Sequence, residues 1–292
     1  MQPHRFTLIT LCMMVAVGCS VLARAQSLPL EPLHDAGRSV TGAYEGWFRN
    51  QDGGFSLLFG YYNRNQKQDL EIPVGPENRI EPGGPDQGQP THFLPGRQWG
   101  LFTVTVPKDF GTNKLTWTLV AGGQTMVVPA SLDPLWEVSP FLDASTQNTP
   151  PVIKLQGDSV QGPRPITTAV SATLSGPLTL SVAVSDDAKM PLFGFVGIPG
   201  AQQPKTPPLT VTWSKFRGPG AVTFANAKPA VALANGGQIT AAGVSGTATT
   251  TATFSEPGEY LLLVVANDWS GNGGHGYQCC WTNAYVRVSV KP

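Results

Sequence analysis

Apolar and polar positions alternate along most of this chain with a period of two. Leu178, Leu180, Val182 and Val184 share one side of their segment, with Thr179, Ser181, Ala183 and Ser185 on the other. Phe102, Val104 and Val106 likewise face away from Thr103 and Thr105. Leu115, Trp117 and Leu119 repeat the pattern, and Val286, Val288 and Val290 close the chain with it. A period of two sends successive side chains to opposite faces of a strand, one buried and one wet. Further strands are predicted at residues 44–49, 55–62, 69–74, 125–129, 209–213, 222–224 and 247–254. Residues 260–266 depart from strict alternation and form the most apolar segment. Turn formers separate these runs: Asn50, Asp52, Gly53 and Gly54 mark a hairpin, and Gly218-Pro219-Gly220 and Pro257-Gly258 mark corners. Few windows carry a 3.6-residue period free of Gly or Pro, so helix is not expected. The predicted fold class is all-β, with two β-sandwich-type domains in tandem.

The organisation follows from where the pattern stops. Residues 1–25 read as a secretory signal peptide: His4 and Arg5, then an apolar run over 6–22, then Ala23-Arg24-Ala25 as a small-x-small cleavage site before Gln26. Two rival readings are an uncleaved anchor and lipidation at Cys19; the run barely spans a bilayer, and the Leu expected three residues before a lipidated Cys is absent. No later segment is long and apolar enough to span a membrane. The export reading places the protein across an inner membrane, in the periplasm, on the cell surface or outside. Residues 26–40 are a polar lead-in, 41–140 a β-rich domain matching no characterised family, 141–151 a linker stiffened by Pro150-Pro151, and 152–292 the second domain.

Composition agrees with an exported β protein. Charged residues make up 13%, while the chain has 33 Gly and 27 Pro. Without Arg5 and Arg24, seventeen basic residues face nineteen acidic ones, a net charge of about −2. No concentrated basic surface is encoded, so a nucleic-acid partner is not expected.

The second domain resembles the PKD-like branch of the immunoglobulin-like sandwiches over residues 152–292. The resemblance rests on the run from Leu180 to Asp187, on Trp213 with Gly218-Pro219-Gly220 and Phe224, and on Pro257-Gly258-Glu259-Tyr260 with Asp268. It implies a spacer, an adhesion module or a carbohydrate-associated module on a secreted protein. It also implies that Tyr260 stands at a tyrosine corner, a structural role. The antibody-type disulfide is missing, since Val182 and Leu262 occupy the corresponding region. In such a sandwich the second-to-third and sixth-to-seventh strand connections emerge at one end. That would gather Asp186, Asp187, Phe193, Phe195, Asp268, Trp269, His275, Cys279 and Cys280, and loops on a rigid sandwich are where binding usually resides. The competing reading is that these connections are long only because loops tolerate insertion.

Candidate chemistry is sparse. Cys279 and Cys280 are the only cysteines outside the leader. An oxidising compartment favours pairing, although adjacent Cα atoms about 3.8 Å apart across a trans bond lie short of the usual disulfide range. Three states are open: a vicinal disulfide with a structural or redox role, free thiols or an intermolecular bridge, and a copper or zinc site completed by His275. Asp186, Asp187 and Asp268 form a candidate calcium set, because hard cations need clustered oxygens; the alternative is that they cap turns. His92 and Phe93, after the Pro- and Gly-rich stretch 75–90, are a second candidate ligand-binding loop. No nucleophile elbow, phosphate loop or HExxH occurs. The leading expectation is therefore a secreted, non-enzymatic binding or adhesion module for a glycan or a cell-envelope protein, without a cofactor. A small secreted enzyme or metal-dependent redox protein is the alternative, and a structural spacer a further one.

Overall fold

The structure is a computed structural model that describes residues 34–144, 146–189, 209–237, 240, 243–270 and 279–292. Residues 34–292 form one compact unit. The chain opens with β1 (Val40–Arg49) and β2 (Phe55–Asn63), an antiparallel hairpin closed by Asn50 to Gly54 as the turn residues require. The short strands β3 (Leu70–Glu71), β4 (Asn78–Glu81) and β5 (His92–Phe93) follow, then β6 (Gly96–Val106), β7 (Lys114–Ala121) and β8 (Gln124–Ser131). They make two three-stranded sheets, β1-β2-β6 and β4-β7-β8, with β3 paired to β5. Between the layers lies an aromatic core. Phe59 stacks on Phe102 at 5.3 Å, and both meet Trp117 edge-on.

Residues 75–90 are more ordered than their composition predicts. They contain β4, which pairs with β7. Asn78 is fully buried; its amide donates to the carbonyls of Ile72 and Pro90 and accepts from the Trp117 indole. Ile80 is the one apolar residue of that strand, too little to print a period.

The second half adds β9 (Val152–Leu155), β10 (Asp158–Gln161), β11 (Thr167–Thr173), β12 (Leu178–Asp186), β13 (Thr210–Arg217), β14 (Val222–Phe224), β15 (Ala232–Leu233), β16 (Val244–Phe254), β17 (Gly258–Asn267) and β18 (Trp281–Lys291). One sheet runs β10-β9-β12-β16-β14, with β15 also on β16; the other runs β11-β18-β17-β13. The chain begins on the first sheet and crosses to lay β11 parallel to β18 on the second. This strand order is that of an immunoglobulin-like sandwich. Val182, Val184, Trp213, Leu262, Val264, Val286 and Val288 fill its core. The Tyr260 hydroxyl donates to the Glu256 carbonyl at 2.8 Å and accepts from the Gly220 amide at 3.1 Å. That is the geometry of a tyrosine corner.

The apolar segment 260–266 is explained by two burials. Tyr260, Leu262, Val264 and Ala266 enter the sandwich core, while Leu261, Leu263 and Val265 pack outward against the core of the first half, joined by Phe216 and Tyr285. A strand covered on both faces loses its alternation. Polar contacts edge this junction. Arg217 forms a two-pronged pair with Asp86 at 2.9 and 2.8 Å, and Lys215 reaches Glu71 at 2.5 Å. Asn283 and Trp281 both donate to the Gly100 carbonyl. The stretch 141–151 is itself packed down: Phe141 meets Phe48 edge-on, and Asn148 is buried.

Candidate functional site

β12 ends at Asp186 and β17 at Asn267, and the residues that follow them meet at one end of the second sandwich. Asp268 is fully buried. One of its oxygens accepts from the amide and hydroxyl of Ser270, at 2.8 and 2.6 Å, and the other from the Asn148 side chain at 2.6 Å. Asp187 accepts from the Thr149 hydroxyl at 3.0 Å and pairs with Lys189 at 3.3 Å. Asp186 caps its own turn, accepting from the Ala188 amide at 2.7 Å. Its other oxygen, like the Asn148 side-chain oxygen, is buried with no hydrogen-bond partner among the described residues.

Burial pushes the Asp186 carboxyl up to about 7, and the charges of Asp268 and Asp187 push the same way. Burial also raises Asp268, against the hydrogen bonds from Ser270 and Asn148 that favour its ionised form. The three carboxylates therefore feel one another. Among the described residues, no three His, Cys, Asp or Glu side chains close around a point that could hold a metal.

Cys279 and Cys280 lie beside this network. They form a vicinal disulfide across a cis peptide and are 2% and 1% exposed. Their sulfurs sit 3.9 and 3.6 Å from the Asn148 carbonyl oxygen, and the Cys280 amide donates to Ser270 at 3.3 Å. Joined sulfurs are not thiolates, so they offer no ligands for copper or zinc. Trp269 is half-buried next to Asp268. Phe193, Phe195 and His275 lie outside the described residues, as do the signal peptide and Cys19.

The second candidate loop needs correction. Phe93 is fully buried against Tyr61 and Trp117 and presents no surface to a ligand. His92 is 9% exposed, with Nδ1 2.8 Å from Glu71 and Nε2 3.5 Å from Asp69. Glu71 also takes the Lys215 ammonium; burial would raise its carboxyl, but the hydrogen bonds from His92 and Lys215 hold it below the usual range. His92 thus belongs to the bracing between the two halves.

Asn148 and Ser270 escaped the sequence reading. Asn148 sits in a stretch that reads as a linker, and a Ser after Trp carries no periodic signal. The Asx-type bond from Ser270 to Asp268, two residues back, is the one local cue.

No known protein family matches the chain, and no curated protein matches it. Among solved structures it is similar to a titin fragment, at 11% identity over 86% of this chain and 99% of that one, with a TM-score of 0.24. It is also similar to domains 4 and 5 of the S-layer protein SbsC, at 12% identity over 87% and 98%, with a TM-score of 0.22. The D00-D0 domain of intimin gives 13% identity over 86% and 99%, with a TM-score of 0.25. The immunoglobulin-like fold of the second half is seen in its strand order and its tyrosine corner. Among the described residues no helix is long and apolar enough to cross a membrane.

Proposed function

We propose that this chain is an exported, non-enzymatic binding module of the cell exterior, recognising a glycan or a cell-envelope protein through the loop end of a PKD-like second sandwich. The observation that carries this reading is the braced base of that end. Asp268, Ser270, Asn148 and the Cys279–Cys280 pair form one buried network where the β12–β13 and β17–β18 connections begin and finish. A rigid base orients what rises from it, and binding concentrates on such connections. The disulfide acts there as structure. The test is co-sedimentation of purified protein with envelope fractions and their extracted glycans. Phe193→Ala with Phe195→Ala, and Trp269→Ala separately, are expected to weaken retention at unchanged melting temperature; full retention by all variants excludes this end. Export is checked by N-terminal sequencing of the mature protein, expected to begin at Gln26.

The two unpartnered buried oxygens favour a second reading of the same end. Asp186 and Asn148 would supply oxygens to a calcium ion, with Asp187 and Asp268 adding charge. Bringing these oxygens onto one ion requires them to close further than they do here. Calcium is then expected to raise the melting temperature of the wild type and to leave Asp186→Asn unmoved, while Asp186→Asn itself melts higher than wild type in chelator. No calcium shift in the wild type removes this reading and leaves the binding module standing.

A further inference from the structure

A cleft of about 310 Å³ opens between the start of β6 and the outer face of the β13–β17 pair. Its volume is at the lower end of the range usual for small-ligand sites. Leu263 and Val265, on the outward face of β17 where it packs against the first half, form part of its apolar lining. The antiparallel register sets Ser214 beside Leu263 and Thr212 beside Val265, so hydroxyls and apolar side chains alternate across the wall. The exposed Lys228 also lines it. Among the described residues, no side chain or backbone group bonds the Thr212 or Ser214 hydroxyl or the Lys228 ammonium.

Trp99 forms the facing rim and is 43% exposed, uncommon for so large an apolar side chain. It is also held in place. The Arg97 guanidinium lies 3.9 Å from the indole centroid, and Arg97 is itself fixed by ion pairing to the partly buried Glu45 and by donating to the Tyr61 carbonyl at 3.0 Å. Glu45 in turn accepts from the Gly100 amide at 2.5 Å. An exposed indole backed by a locked cation is a preorganised stacking platform.

We infer that this cleft binds a saccharide, with a pyranose ring stacked on Trp99 and its hydroxyls meeting Thr212, Ser214 and Lys228. A sugar ring is the ligand class that matches both walls, since it carries a C–H face for the indole and a rim of hydroxyls for the unpartnered polar tips. A purely apolar ligand would leave those tips without partners, and a small ion would leave the indole without one. The inference rests on the glycan arm of the proposed function, but it uses a different surface.

Titration calorimetry with three soluble probes tests it: a β-glucan hexaose, chitohexaose and a hexagalacturonide. At least one is expected to bind. Trp99→Ala should lower that affinity at least tenfold, Trp99→Phe should restore most of it, and both variants should melt as the wild type does. Lys228→Ala is expected to weaken the hexagalacturonide more than the neutral probes. Binding by none of the three, or binding to Trp99→Ala at wild-type affinity, overturns the cleft. If Trp269→Ala instead abolishes sugar binding while Trp99→Ala does not, the loop-end reading stands and this one falls; the reverse result removes the loop end as the glycan site and keeps the cleft.

Discussion

Gly100 is where the two halves meet most tightly. Its φ is +49°, and a Cβ added there would fall inside the Trp281 indole, while its carbonyl accepts from both Trp281 and Asn283. Gly100→Ala must move the indole or the strand. A loss of roughly 2–4 kcal/mol is expected in urea unfolding, the scale of overpacking combined with a left-handed backbone. Tyr260→Phe removes one hydroxyl and leaves the Glu256 carbonyl and Gly220 amide without that partner. About 1–2 kcal/mol is expected by the same measurement. Asp86 gives a pH signature. The hydrogen bonds from Arg217 hold its carboxyl below the usual carboxylate range, more than its partial burial raises it. A carboxyl depressed in the folded state stabilises above its unfolded pKa, near 3.9, and loses that contribution as pH falls through the folded value. Asp86 is half exposed, so solvent screening keeps the effect to about 1 kcal/mol or less. Asp86→Asn is therefore expected to melt slightly below wild type at neutral pH, with the gap closing as pH falls below the unfolded carboxylate range.

Elements were legible in the sequence in proportion to how regularly they alternate. β6, β7, β12 and the stretch of β18 from Val286 could be read directly because apolar buried positions alternate there with polar ones, and the turns at Asn50 to Gly54 and Gly218 to Gly220 carry the residues their geometry needs. β4 and β5 could not. They are two to four residues long, sit among prolines and glycines, and are held by the buried Asn78 amide rather than by a repeating apolar face. That is why Phe93 read as a loop aromatic and is in fact core. The acidic end of the second sandwich was partly legible, since strand order alone brings Asp186, Asp187 and Asp268 near one another. Asn148, which ties Asp268 to the disulfide, was not, because a polar residue in a proline-rich stretch signals solvent. The cleft under Trp99 was invisible, being made by the docking of two halves. For the disulfide, non-reducing intact mass is expected to fall two hydrogens short of the fully reduced chain, with neither Cys279 nor Cys280 labelled by a thiol reagent before reduction.

At the scale of the whole molecule, the outward face of β17 decides how the chain can be divided. Leu261, Leu263 and Val265, with Phe216 and Tyr285, are covered by the first half. A fragment of residues 152–292 would expose that strip to water, and apolar patches of this kind drive association. Such a fragment is expected to self-associate in analytical ultracentrifugation, and the intact protein to give one calorimetric transition where independent domains would give two.

The parallel pairing of β11 with β18 has a consequence for load. Thr167 to Thr173 lie beside Tyr285 to Lys291 in register, the first and the last strands that the chain lays on the second sheet. Tension applied through the chain on either side pulls these neighbours past each other, so their hydrogen bonds resist in shear, all together, rather than opening one at a time as a hairpin does. A module anchored at one end and gripping a partner at the other would feel that tension first along this seam.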